Sequence, residues 1–160
     1  MILLGIDPGT RISGFVIFKK ELNRIHLLDC GLLQLDASLP LPNRVEAFFN
    51  FFNEKIITYG VTDLALETSF LGKNAANFLK LGYLRGALYI LISRYKLSFH
   101  EFAPTKIKQS ITGFGGAAKE QVARVVMRLF PGITLPSHFD LTDAFAVALC
   151  CLWSSNYSVR

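Results

Sequence analysis

The stretch Ile2-Leu-Leu-Gly-Ile-Asp7-Pro8-Gly9-Thr10 constrains this chain more than any other. Its apolar run has the length of a strand, and the Pro-Gly turn ends that strand directly after a carboxylate, so Asp7 is delivered to a sheet edge. Taken alone, Asp-Pro-Gly is also an ordinary turn, since Pro suits the second turn position and Gly tolerates positive φ. What separates the two readings is whether later segments bring more acid to the same place. Glu67, Asp140 and Asp143 are the candidates.

The chain alternates strand and helix patterns. Ser13 to Lys19 reads as a second strand, Glu21-Leu-Asn23 as a reversal and Arg24 to Leu35 as a third strand, all three antiparallel. From Asn43 to about Ile57 the residues Val45, Phe48, Phe49, Phe52 and Ile56 follow helical spacing, and Gly60 is a natural stop. Phe51 lies off that stripe, on what is expected to be a partly buried second face. Val61 to Thr68 is another short strand ending in a carboxylate, Glu67. A strand–helix–strand order favours a parallel crossover, which makes the first and fourth strands neighbours and sets Asp7 facing Glu67. Asn74 to Tyr95 is a long, very apolar helix, and Gly82-x-x-x-Gly86 would admit another backbone on one face. Core packing and a dimer contact both fit that helix. Leu97 to Ala103 gives a fifth strand, and Pro104 opens a helix through Ile111. Gly113-Phe-Gly-Gly116 leads to a helix from Ala117 to Phe130 with Lys119 in its first turn, a place where free N–H groups can hold a phosphate or merely join two helices. The last helix runs from about Asp140 to Trp153.

With 160 residues and 51% hydrophobic side chains, the chain suits one compact domain, residues 1–153, with 154–160 as a C-terminal tail. Cys30, Cys150 and Cys151 lack the number and spacing of a disulfide framework or a zinc site and read as buried thiols of a reducing compartment. The apolar region from Leu81 to Leu97 is broken by Arg85, Arg94 and Lys96, so no membrane span is expected, nor a signal peptide, and the expected location is cytoplasmic. The net charge is +5. Lys73, Lys80, Arg85, Arg94, Lys96, Lys106, Lys108, Lys119, Arg124 and Arg128 face only Glu101 and Glu120 within residues 73–128. That split fits a polyanionic partner, or solvated helix faces.

Asp140 and Asp143 are three apart and share a face in the opening turn of the last helix, where the backbone dipole favours ionised acids. Asp140 also completes a capping box with Ser137. Asp143 borders Ala-Phe-Ala-Val-Ala-Leu, where an unpaired charge would be costly. Four acids without a His or Cys set suit hard cations such as Mg²⁺ or Mn²⁺ rather than zinc. Two such metals about 3.5–4 Å apart can activate water and stabilise the leaving oxygen of a phosphodiester while lysines hold flanking phosphates.

Gly5-Ile-Asp7-Pro-Gly-Thr, Glu67-x-x-Phe70 with Lys73-Asn74, Lys80-Leu-Gly-x-x-Arg85-Gly, Gly113-x-Gly-x-Ala117-x-Lys119 and Asp140-x-x-Asp143-Ala stand in an order that resembles the RuvC family of Holliday-junction resolvases. The resemblance covers most of residues 1–150. It implies an α/β, ribonuclease H-like fold, a mixed five-stranded sheet with helices on both faces, and a homodimer that makes paired symmetric nicks in four-way junction DNA. It implies Asp7, Glu67, Asp140 and Asp143 as catalytic and metal-binding acids for two Mg²⁺ ions, with Mn²⁺ as an alternative ion and Asp7 as the shared ligand. It further implies DNA contacts by Phe70, Lys73, Lys80, Arg85, Lys108 and Lys119, and branch-migration subunits of the RuvA and RuvB type as partners. The chain departs from the family at Cys150-Cys-Leu-Trp153, where histidine is common, and His138 is a possible auxiliary group.

Two other functions remain open at this level. Gly-Ile-Asp-x-Gly-Thr also resembles the first phosphate loop of actin-like and sugar-kinase ATPases, whose second lobe this length cannot supply. A noncatalytic junction- or RNA-binding protein would use the basic half and leave the acids without a role.

Overall fold

The computed structural model describes residues 1–22, 24–68, 75–132 and 139–154. Five strands, β1 (Ile2–Asp7), β2 (Ile12–Glu21), β3 (Arg24–Gln34), β4 (Asp63–Glu67) and β5 (Ser98–Phe102), form one sheet in the order β3-β2-β1-β4-β5. β2 pairs antiparallel with both β1 and β3, whereas β1–β4 and β4–β5 are parallel. The sheet is therefore mixed, and the expected crossover does make β1 and β4 neighbours.

Helices α1 (Leu41–Tyr59), α2 (Ala75–Tyr95), α3 (Pro104–Thr112), α4 (Lys119–Leu129) and α5 (Asp140–Ser154) cover both faces. The period-two alternation of the strands divides the core. Leu4, Ile6, Phe15, Ile17, Leu64 and Leu66 pack with α1 and α2, while Leu3, Val16, Phe18 and Ala65 pack with α3, α4 and α5. Each class is fully or almost fully buried. Asp7 shares the parity of Leu3, and Glu67 that of Ala65, so both acids are set on the α5 side.

α5 lies directly on the strands because two glycines let it. A Cβ added at Gly5 would come within 2.6 Å of Ala148 Cβ, and one at Gly14 within 1.9 Å of the Asp140 carbonyl oxygen. Small residues on the strands thus fix both the depth of α5 and the position of its opening turn.

α1 starts earlier than its apolar stripe because Pro42 falls in the first turn, where its missing N–H costs nothing. It ends at Gly60 in the left-handed region, φ 63°. Phe51 packs edge-on to Phe15 at 5.3 Å and to Phe52 at 5.1 Å, which is the partly buried second face. Among the described residues of this chain, nothing lies within 4 Å of a Cβ placed at Gly82 or Gly86, so neither glycine is used for close packing within the chain. They floor an open apolar groove between α1 and α2, about 710 Å³, beside Val45, Phe49, Tyr83 and Ile90. Among the described residues no helix is long and apolar enough to cross a membrane. Cys150 and Cys151 are buried and Cys30 is half-buried.

Candidate active site

Asp7 is the last residue of β1 and Glu67 the last of β4. The ladder aligns Gly5 with Ala65 and Ile6 with Leu66, and its next step sets the two acids side by side. Ser13 holds the turn behind Asp7: its Oγ donates to the Gly9 carbonyl and accepts from the Gly9 N–H, both at 3.0 Å. Arg44 Nη1 adds a bond to the Thr10 carbonyl at 3.1 Å. The Asp-Pro-Gly segment is consequently both a turn and the mount for a carboxylate.

α5 supplies the third acid. Asp143 lies in its first turn, with its N–H donating to the Phe139 carbonyl at 2.8 Å. Asp7, Glu67 and Asp143 line one pocket of about 190 Å³ together with Lys108 from α3 and Lys119 from α4. Pro104, Ile107, Val122 and Ala146 complete its walls with apolar surface. Asp140 is one turn away on the same helix, close enough for its charge to act on Asp7. Lys119 Nζ donates to Asp143 Oδ2 at 2.8 Å.

The acids are held together at an electrostatic cost. Burial, followed by the charges of Asp143 and Asp140, raises the Asp7 carboxyl from 3.8 to about 8, with Lys119 opposing and Glu67 adding to the rise. Desolvation and Asp143 also raise Glu67, against the lowering influence of Lys119 and Lys108. Lys119 is partly desolvated, which lowers its pKa, but its bond to Asp143 and the charges of Asp143, Asp7 and Glu67 outweigh this and raise it.

An all-oxygen donor set suits a hard divalent cation, which would replace mutual repulsion by shared attraction. As placed, no three acids, histidines or cysteines among the described residues stand in metal-holding geometry. Lys119 engages Asp143 at 2.8 Å. The three acids nonetheless line one pocket, and their donor chemistry fits such an ion.

The other sequence candidates fall elsewhere. Lys80 is exposed on α2. Phe70, Lys73, His138 and the Ser137 half of the capping box lie outside the described residues. Arg85, also expected to contact DNA, is 6% exposed, and its guanidinium bonds the Glu67 carbonyl, Tyr89 and Glu101. That burial follows its spacing, since Leu81, Arg85 and Leu88 fall at i, i+4, i+7 along the inward stripe. At the α4 start, the Ala118 N–H is already taken by Gln121 Oε1 at 2.8 Å, so that loop presents fewer free donors than its glycines imply.

A mixed sheet whose central strand and parallel neighbour end in acids beneath a closing helix defines a ribonuclease H-like protein with an acidic, lysine-flanked site. Residues 3–151 match the family model described as crossover junction endodeoxyribonuclease RuvC, and the chain belongs to that family. The crossover junction endodeoxyribonuclease RuvC of Rickettsia prowazekii is 39% identical over 158 residues, covering 98% of this chain and 100% of that protein. The protein of the same name from Pelodictyon phaeoclathratiforme is 38% identical over 152 residues, 95% of this chain and 80% of its own length. Thermus thermophilus RuvC superposes with a TM-score of 0.84 at 25% identity, covering 98% of this chain and 96% of that one. The same protein in complex with Holliday junction substrate gives 0.85 at 23% identity, over 99% and 97%. Nucleases of this family are metal-dependent.

Proposed function

We propose that this chain is an endonuclease that resolves four-way DNA junctions by paired, symmetric phosphodiester hydrolysis. Asp7, Glu67, Asp140 and Asp143 are read as ligands of two Mg²⁺ ions, with Mn²⁺ as an alternative. The observation that carries the reading is the convergence of Asp7, Glu67 and Asp143 with Lys108 and Lys119 on one pocket. Bound metal would supply an activated water and countercharge for the leaving oxygen. The chain's own residues do the rest. Asp7 occupies the buried end of the cleft, Glu67 and Asp143 flank it, and the lysines offer the cationic surface that a phosphodiester backbone requires. The apolar walls limit water near the acids and strengthen each charge interaction there.

A homodimer is part of the proposal, since two symmetric cuts need two sites, and the open groove over Gly82 and Gly86 supplies an unpartnered apolar face. RuvA- and RuvB-type branch-migration subunits and a cytoplasmic location accompany this role. Purified protein should be incubated with synthetic junctions, linear duplex and RNA–DNA hybrid, with and without Mg²⁺. Paired incisions at the branch point, present only with metal, are expected. Asp7→Asn and Asp143→Asn should keep junction binding and abolish cutting; unchanged cutting by either variant refutes the assignment.

A further inference from the structure

Arg85 is a buried cation whose three bonds meet three separate elements. Its Nη1 donates to the Glu67 main-chain carbonyl at 2.9 Å. Its Nη2 reaches the Tyr89 hydroxyl at 3.3 Å and pairs with Glu101 Oε1. α2, the end of β4 and β5 are therefore joined by one planar group, on the sheet face opposite the acidic cleft.

We infer that Arg85 is a positioning residue that fixes the Glu67 carboxylate for metal by gripping the carbonyl of the same residue from behind the sheet. The inference rests on the reading of Glu67 as a metal ligand. Burial makes the grip rigid, because a desolvated guanidinium is held by its partners and loses heavily if any one moves away. Glu101 neutralises the charge, and Tyr89 is itself fixed edge-on against Phe99 at 5.6 Å. On the far side of the Glu67 peptide, the Thr68 N–H bonds the Phe102 carbonyl at 2.9 Å. The two bonds together stop the peptide after Glu67 from rotating. Without the first, that plane can turn and swing the Glu67 Cα–Cβ direction, and a ligand displaced by about 1 Å costs on the order of a hundredfold in rate. Lysine cannot replace this fork, since one ammonium cannot meet the carbonyl and both acceptors in their present directions.

The test compares Arg85→Lys, Arg85→Gln, Glu101→Gln and Glu67→Gln by Mn²⁺ titration calorimetry, cutting rate at saturating junction, and junction affinity without divalent cation. Outer partners of metal ligands typically contribute roughly 10–100-fold, so both Arg85 variants should raise the Mn²⁺ midpoint about tenfold and slow cutting comparably, with junction affinity within about twofold. Glu101→Gln should shift the midpoint in the same direction by about threefold. Folded Arg85 variants with a wild-type Mn²⁺ midpoint overturn the inference, as does weakened junction affinity with the midpoint unchanged, which would make Arg85 a DNA contact. Should neither Arg85 variant fold, an unchanged midpoint in Glu101→Gln overturns it. Full metal binding and cutting by Glu67→Gln removes the underlying site assignment instead, whereas an impaired Glu67→Gln beside intact Arg85 variants removes only the role of Arg85.

Discussion

Lys119 Nζ and Asp143 Oδ2 stand 2.8 Å apart across the cleft, joining the first turn of α4 to that of α5. This ammonium is the countercharge that the clustered carboxylates use, and it lowers the pKa of both Asp7 and Glu67. A cation entering the cleft competes with it for Asp143. Lys119→Ala should therefore bind Mn²⁺ more tightly, by about threefold to tenfold, while cutting falls by at least tenfold for want of a phosphate-facing charge. Calorimetric titration beside cutting assays checks both; weaker Mn²⁺ binding by the variant would contradict the competition.

The carboxyl of Asp7, pushed up to about 8 chiefly by burial, gives the metal-free protein a defined pH dependence. Below about pH 4 the group is protonated in both folded and unfolded chains and contributes no pH dependence. Between there and pH 8 the unfolded chain has released its proton while the folded chain retains it, so stability declines as pH rises. Above pH 8 the whole penalty is present. Asp7→Asn should accordingly stabilise metal-free protein by about 2–4 kcal/mol at pH 8.5, after allowance for partial solvent access, and by much less at pH 4. Urea unfolding at the two pH values measures this. Metal binding must displace the same proton, so wild-type affinity should rise through pH 6–8 and level off above it.

The strands and helices were legible because their periods differ: Leu4 and Ile6 alternate with Leu3 and Gly5, while Phe48, Phe52 and Ile56 recur at helical spacing. The adjacency of Asp7 and Glu67 followed from one crossover, and three apart on a helix was enough to associate Asp140 with Asp143. Contacts between segments were not legible. Nothing local to Lys119 indicates that it meets Asp143, and Ser13 gives no sign of holding the Gly9 turn. Arg85 reads as one more basic residue until Leu84, Ala87 and Leu88 are seen buried around it. Gly5 and Gly14 look like weak points in strands, yet the depth at which α5 rests depends on them.

That dependence is testable at Gly14. A methyl group there would fall 1.9 Å from the Asp140 carbonyl oxygen, so backbone must move. Gly14→Ala is expected to destabilise the fold by about 3 kcal/mol and to displace the opening turn of α5 from the strand ends. Cutting should fall further than the folded fraction does, with Mn²⁺ binding weakened in parallel. Denaturant unfolding and calorimetry separate the two effects, and loss of activity in simple proportion to unfolded protein would count against a role for Gly14 in setting the acids.

Gly82 and Gly86 make the opposite prediction. Among the described residues space is open above both, so within one chain Gly82→Ala should be accommodated and should favour α2 by about 0.5–1 kcal/mol through helix propensity. If a second copy seats in the groove, bulk at the same face must weaken association instead. Gly86→Leu tests this more severely: its side chain would project beside Val45 and Phe49, in the groove floored by the glycines. The expected result is a shift toward monomer in sedimentation velocity, with thermal stability of the monomer preserved and paired junction cuts replaced by single nicks. An unchanged dimer in Gly86→Leu would place the subunit contact elsewhere on the surface, and a wild-type protein that sediments as a monomer at working concentration would remove the dimer from the proposal altogether.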